Sequence, residues 1–306
     1  MKKALQFQVP AKKRVRMIVD TDCKNEADDQ FALAHHLMTP MFDVKGIIAA
    51  HFESRKDVWG EGKTMQASYD EIMLMLDLME LSGQYPVLHG AAVPLTDEQT
   101  PLHSEGARFI IDEAMKEDDR PLFVALQGTL TDLADALLIE PRIASRLTAI
   151  WIGGGAWPEG GWEFNLAQDV HAANVVLSSG VALWQVPKDV YKTVNITLSE
   201  LQYRVAPCGR VGEYLFRQMV ALNDACGDVL VWPHGESWCI GDQPTVGVLL
   251  EDKERENYTL RHAPRIGEDF RYIHREDSPM IRVYHAVDVR LLLEDFYAKL
   301  ALHFRE

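Results

Sequence analysis

Met17-Ile18-Val19-Asp20-Thr21-Asp22-Cys23-Lys24-Asn25-Glu26-Ala27-Asp28-Asp29-Gln30-Phe31-Ala32-Leu33 is the stretch from which the rest of the chain can be read. An apolar run stops at Asp20-Thr21-Asp22, and an apolar-periodic segment starts at Asp28-Asp29. That pattern is a strand, a loop and a helix, with four carboxylates gathered at the carboxyl end of the strand. In open α/β sheets, ligands bind in the crevice beyond the strand ends. Carboxylates this close repel one another unless they share a cation, and an all-oxygen donor set suits Ca²⁺ or Mg²⁺. The cluster therefore predicts a metal. Asp28 and Asp29 alone could be helix caps, because acids in a first turn meet free N–H groups and the positive dipole end. Capping leaves Asp20 and Asp22 unexplained. The stretch is not a calcium EF-hand, because it lacks the central Gly and closing Glu of that loop.

Outward from this stretch, strand and helix signals alternate. Strands are expected over 16–19, 44–50, 86–90, 122–127, 149–153 and 182–186. Helices are expected over 28–37, 68–81, 105–116, 133–139 (with Thr131 as N-cap) and 169–179. This rhythm calls for a doubly wound, mostly parallel α/β sheet with helices on both faces. Segments 199–205, 211–222 and 245–250 read as helical. The charged stretch 251–284 is interrupted by Pro264, Gly267 and Pro279 and reads as a small antiparallel extension, with strands over 258–261 and 280–284. An amphipathic helix over 289–303 closes the chain. No repeat or linker divides it, so a single domain over 1–306 is expected.

The 47% hydrophobic and 25% charged fractions are ordinary for a globular protein. A net charge of −15 argues against nucleic-acid binding, which needs a basic face. Cys23, Cys208, Cys226 and Cys239 show no CxxC spacing and read as reduced thiols. The basic start Met1-Lys2-Lys3 is followed by an apolar region too short and too broken by Gln and Pro for a signal peptide. No run approaches the ~18 apolar residues of a membrane span. A cytoplasmic protein without membrane partners is the expectation.

Three further places put polar groups at strand or loop ends. Gln127-Gly128 ends a strand and can offer a backbone carbonyl. Trp162-Glu163-Phe164-Asn165 follows the glycines 153–155, and Gly241-Asp242-Gln243-Pro244 opens a helical segment with a carboxylate. Together these resemble the inosine/uridine-preferring nucleoside hydrolase family. Its opening Asp-Thr-Asp, loop and Asp-Asp is matched by Asp20, Asp22, Asp28 and Asp29. Its Gly-Pro-Leu-Thr-Asn element is echoed by Gly128-Thr129-Leu130-Thr131-Asp132, and its Glu-Phe-Asn by Glu163-Phe164-Asn165. Its late His-Asp-Pro is echoed by Gly241-Asp242-Gln243-Pro244, and the elements come in family order from residue 17 to about residue 250.

The resemblance implies calcium-dependent hydrolysis of the N-glycosidic bond of a ribonucleoside or related ribosylated compound, in a nucleobase-salvage setting. It implies one Ca²⁺ held by Asp22, Asp29, Asp242 and the carbonyl of Gln127, with Asp22 also activating a calcium-bound water. Asp28, Glu163, Asn165 and Asp242 match groups that hold the sugar. It also implies a homo-oligomer, dimer or tetramer, with a small nucleoside-like substrate as partner. The chemistry suits these residue types in their own right. A cation lowers the pKa of water, a carboxylate can take its proton, and acids around the sugar favour an oxocarbenium-like transition state.

The departures bear on substrate. The loop Cys23 to Ala27 is longer than the family's Pro-Gly-containing loop, and its Asn25 and Glu26 can reach the sugar. His51-Phe52-Glu53 stands where members carry a ribose-binding Asn, and His51 is the substrate-binding candidate there. Gly241 replaces the His that, in pyrimidine-handling members, protonates the leaving base. His51, His103, His234 and Glu236 are candidate donors in its place, and Trp59, Trp157, Trp162 and Trp238 are candidates for stacking on the base. Two other readings are open. One is a non-catalytic calcium-dependent nucleoside- or sugar-binding protein of the same fold. The other is a phosphotransferase using Asp20 or Asp22, against which stands the repulsion of phosphate by Asp28 and Asp29.

Overall fold

In chain order the strands are β1 (Val15–Thr21), β2 (Phe42–Ala49), β3 (Val87–His89), β4 (Leu122–Leu126), β5 (Thr148–Ile152), β6 (Ala182–Val186), β7 (Asn195–Thr197), β8 (Ser237–Cys239), β9 (Tyr258–His262), β10 (Arg265–Ile266), β11 (Tyr272–Ile273) and β12 (Met280–Tyr284). They are seen in a computed structural model that describes residues 5–228, 235–251 and 254–305. Eight of them form one sheet in the order β3-β2-β1-β4-β5-β6-β12-β9. Every neighbouring pair is parallel except β9 with β12.

β1 lies inside the sheet because its residues are apolar on both faces, as a strand covered on both sides must be. Met17 and Val19 point into one core and Ile18 into the other, the period-two alternation of a pleated strand. The first core is closed by helices Asp29–Met38, Thr64–Leu78, Gly209–Ala225 and Val289–Phe304, which supply Phe31, Ile72, Leu215 and Phe296. The second is closed by Glu105–Ala114, Thr131–Ile139 and Val170–Ser178, which supply Ile110, Leu133 and Val176.

The chain runs β1-β2-β3 in one direction and then returns to the other side of β1 for β4-β5-β6. The order thus reverses between β1 and β4. That reversal splays the connecting loops apart and opens a crevice at the carboxyl ends of these two strands.

Three expectations need correction. Thr131 is not the N-cap of its helix. It is the first helical residue, Leu130 precedes it without a side-chain cap, and the Thr131 hydroxyl donates to Asp169 at 2.8 Å. Buried as it is, that hydroxyl finds a side-chain partner instead of the helix end. The helix expected over 68–81 begins a turn earlier, at Thr64, whose hydroxyl turns inward to Glu53 at 2.6 Å. Segment 280–284 is more than an antiparallel extension, because β12 also pairs in parallel with β6 and so belongs to the main sheet. The short hairpin of β10 and β11 keeps the expected antiparallel character. Among the described residues, no helix is long and apolar enough to cross a membrane.

Candidate active site

The loops that follow β1, β2, β4, β5 and β6 line a cleft of about 510 Å³ at the point where the strand order reverses. Asp20 and Asp22 end β1 and begin the loop after it, and both are buried. Gln30 donates to the carbonyl of Cys23 at 2.6 Å, and Lys24 reaches Glu71 on helix Thr64–Leu78 at 2.7 Å. Those two contacts fix the long loop, so Asn25 and Glu26 face the cleft.

Asp28 and Asp29 do not cap the helix they open. Asp28 is the N-cap residue by position, but its side chain accepts no bond from the helix. It accepts the backbone N–H of Gly241 at 2.8 Å instead. Asp29 accepts the hydroxyl of Thr21, and Asn25 Nδ2 donates to Asp22 at 2.5 Å. Asp28, Asp29 and Asp242 each offer a carboxylate oxygen within 4.8 Å of the others. Asp22 stands beside this trio with its Oδ2 buried and without a hydrogen-bond partner.

Burial, and then the neighbouring acids, push Asp29 and Asp242 far above the usual carboxylate range. Asp22 is likewise raised, by burial above all, with the Asn25 bond opposing. Asp28 is pushed up to about 6 by burial, against the bond from Gly241. Buried, mutually repelling carboxylates with an orphaned oxygen beside them are what a hard divalent cation relieves, and the donor chemistry fits one. The trio is not the set expected from sequence, since it includes Asp28 in place of Asp22.

Gln127 follows β4, and its carbonyl accepts Asn165 Nδ2 at 3.1 Å, while the same amide reaches the carbonyl of Ile152 at 2.9 Å. Gly128 is obligatory here, because a Cβ would stand 2.8 Å from the carboxyl carbon of Asp22. Glu163 lines the cleft, but its carboxylate is fully engaged. It caps helix Phe164–Gln168 through the N–H groups of Asn165 and Leu166 and also accepts Gly154 N–H and the hydroxyl of Tyr191 at 2.9 Å. Burial raises its pKa and those four bonds oppose the rise.

His51 is not among the lining residues. It is fully buried, its Nε2 lies 2.9 Å from the Thr131 hydroxyl, and burial lowers its pKa to about 4. Of the candidate donors, neither His103 nor Glu236 reaches the cleft wall, and His234 lies outside the described residues. Of the four tryptophans only Trp162 lines the cleft, 57% exposed. Trp59 packs on Phe52, Trp157 donates to Gln185, and Trp238 is core.

Sequence reasoning missed Ser54, Arg55, Lys188, Tyr191, Lys192 and Cys239, which all line the cleft. For Lys188 a signal existed, since it follows the expected strand 182–186 directly after Pro187. Cys239 carries none, because the pairing of β7 with β8 is what brings it to the cleft.

A family profile described as inosine-uridine preferring nucleoside hydrolase matches residues 17–293. The chain belongs to this family. Similar nucleoside hydrolases include the pyrimidine-specific ribonucleoside hydrolase RihA of Salmonella arizonae, 26% identical over 206 residues that cover 59% of this chain. RihA of Escherichia coli O9:H4 is 25% identical over the same share. This chain spans about 63% of the length of those curated relatives. Among solved structures, a purine-preferring ribonucleoside hydrolase from Gardnerella vaginalis superposes with a TM-score of 0.75 at 19% identity, over 94% of this chain and 98% of the other. An inosine-guanosine nucleoside hydrolase gives 0.69 at 18%, over the same shares. The type III effector XopQ, solved with adenosine diphosphate ribose, gives 0.66 at 15% identity, over 94% of each chain. At these identities the superpositions establish the nucleoside hydrolase fold.

Proposed function

We propose that this protein hydrolyses the N-glycosidic bond of a ribonucleoside or related ribosylated compound with the help of a bound Ca²⁺. The observation that carries the reading is the buried Asp22 Oδ2, without a partner, beside the trio Asp28, Asp29 and Asp242, of which Asp28 and Asp242 line the cleft. Asp29, Asp242 and the Gln127 carbonyl would hold the ion, with Asp22 or Asp28 completing the set. When bound, such an ion offsets the carboxylate charge and acidifies a water.

The chain's own groups do the rest. Asp22 takes the proton of the attacking water, a role for which its free oxygen is available. The acids on the floor favour positive charge as it develops on the sugar, and they are fixed in place before substrate arrives. Asn165, locked by two carbonyls, together with Asn25, Glu26 and Asp28, orients the hydroxyls, which lowers the entropic part of the barrier. Glu163 acts mainly by holding Asn165 and Tyr191 in position.

The names of relatives support both pyrimidine and purine leaving groups, so the test uses both. Reducing-sugar release from a nucleoside panel, with and without chelator, should show cleavage that disappears in Asp22→Asn and on calcium removal. Stoichiometric calcium binding with no release from any compound would favour a binding protein of the same fold, the reading that the missing side chain at Gly241 supports. Absence of calcium binding would sink the proposal. Family likeness also supports a dimer or tetramer, which light scattering on the eluting protein would test.

A further inference from the structure

The acids on the cleft floor lie beneath a mouth of the opposite sign. Arg55, Lys188 and Lys192 all line the cleft, and among the described residues none of them forms a salt bridge with a carboxylate. Several other cations are paired with carboxylates, as in Arg204 with Glu294, Arg265 with Glu98 and Arg120 with Asp43. Lys188 donates to the carbonyl of Trp162 at 3.1 Å, and its ammonium sits 5.0 Å over the Trp162 ring, although Glu163 is the next residue. The Glu163 carboxylate oxygens accept four bonds from other groups, so its charge acts on Lys188 without a direct ion pair.

Lys192 follows Lys188 by one helical turn, its N–H donating to the Lys188 carbonyl at 3.2 Å. Like charges at this spacing repel, a cost that is removed when an anion lies between them. The repulsion is felt, since burial and then Lys192 lower the pKa of Lys188. A chain of net charge −15 thus places three cations, none in a direct ion pair among the described residues, around an acid-floored cleft.

We infer that the ribosyl compound taken by this cleft carries a phosphate ester on its sugar, held at the mouth by Lys188 and Lys192 with Arg55. The inference rests on the N-glycosyl hydrolase reading and narrows its substrate from nucleosides to nucleotides. Lysine binds phosphate as a point charge and arginine through its planar fork. The floor acids repel a phosphate, so it is tolerated only where cations outweigh them. The sugar end is the end nearest Lys188, which donates to the carbonyl of Trp162, the residue preceding Glu163. A plain nucleoside leaves that charge unmet.

The test compares kcat/KM for inosine and uridine with that for their 5′-monophosphates, on the calcium-loaded full chain. Wild type should favour the monophosphate by about tenfold or more, chiefly through KM, and added salt should erode the preference. The ratio should collapse in the Lys188→Ala/Lys192→Ala double variant and survive in Lys188→Arg, which keeps the charge. Nucleosides cleaved as well as their monophosphates, or a ratio unmoved in the double variant, would overturn the inference and leave the hydrolase reading standing. If neither class is cleaved, calorimetry with ribose 5-phosphate against ribose decides. Phosphate-dependent binding that is lost in the double variant keeps the inference while the hydrolase reading falls. Equal binding of the two sugars overturns the inference.

Discussion

The ring of Tyr191 fills the space into which a side chain at Gly241 would project: a Cβ there would stand 2.8 Å from Tyr191 Cδ2. The same tyrosine donates its hydroxyl to Glu163, so its position is held from both ends. The absence of a histidine at 241 is therefore a matter of packing, with an aromatic ring seated where an imidazole would stand.

Gly241→Ala should destabilise the fold by about 1–3 kcal/mol, the usual cost of overpacking. Tyr191→Ala should relieve that cost, so that the two changes are non-additive in a double-mutant cycle followed by chemical denaturation. Additive effects would show that Tyr191 does not occupy the space.

Asp22→Asn preserves size and the Asn25 contact but removes the carboxylate proposed as the base. Hydrolysis should fall by about 10²–10⁴-fold while folding is retained. A variant within a few-fold of wild type would move the base to another group.

Calcium added to chelated protein should raise the unfolding midpoint, because it relieves the repulsion among Asp28, Asp29 and Asp242. At a hundred times Kd the gain is about 2.7 kcal/mol. Asp29→Asn and Asp242→Asn should each blunt the response. A midpoint indifferent to calcium in wild type would count against the cation.

His51 gives a pH signature of definite sign. Burial lowers its folded pKa from 6.5 to about 4. The unfolded chain therefore takes up the proton first, and the stability His51 contributes is complete above pH 6.5 and drains away as pH falls towards 4. His51→Gln, which can still meet Thr131, should lose about 2 kcal/mol less than wild type between about pH 7.5 and about pH 5. Parallel pH–stability curves for the two proteins would refute this.

Much of the fold was legible because the parallel strands are short apolar runs, and β1 and β4 end in polar groups. Asp20, Asp22, Asp28 and Asp29 sit at such an end, and Gln127 sits at another. The family elements extended the reading to Asp242. Thr131 misled because a hydroxyl at a helix start is usually a cap, whereas here tertiary partners claim it. His51 shows the same limit, since a strand-end position does not tell whether a side chain faces the cleft or the layer beneath. The basic mouth was hidden for a different reason. Lys188 and Lys192 stand one helical turn apart after β6, but Arg55 follows β2, and no spacing in the sequence joins it to them.

The bond from Gly241 N–H to Asp28 joins positions 213 residues apart. At roughly 5–20 residues added per second, the first acids leave the ribosome roughly ten to forty seconds before Gly241 and Asp242 exist. Through that interval the growing polypeptide carries the first of these acids without their late partner. On the calcium reading proposed above, the ion would not template the early fold, and its capture would mark the meeting of two distant segments.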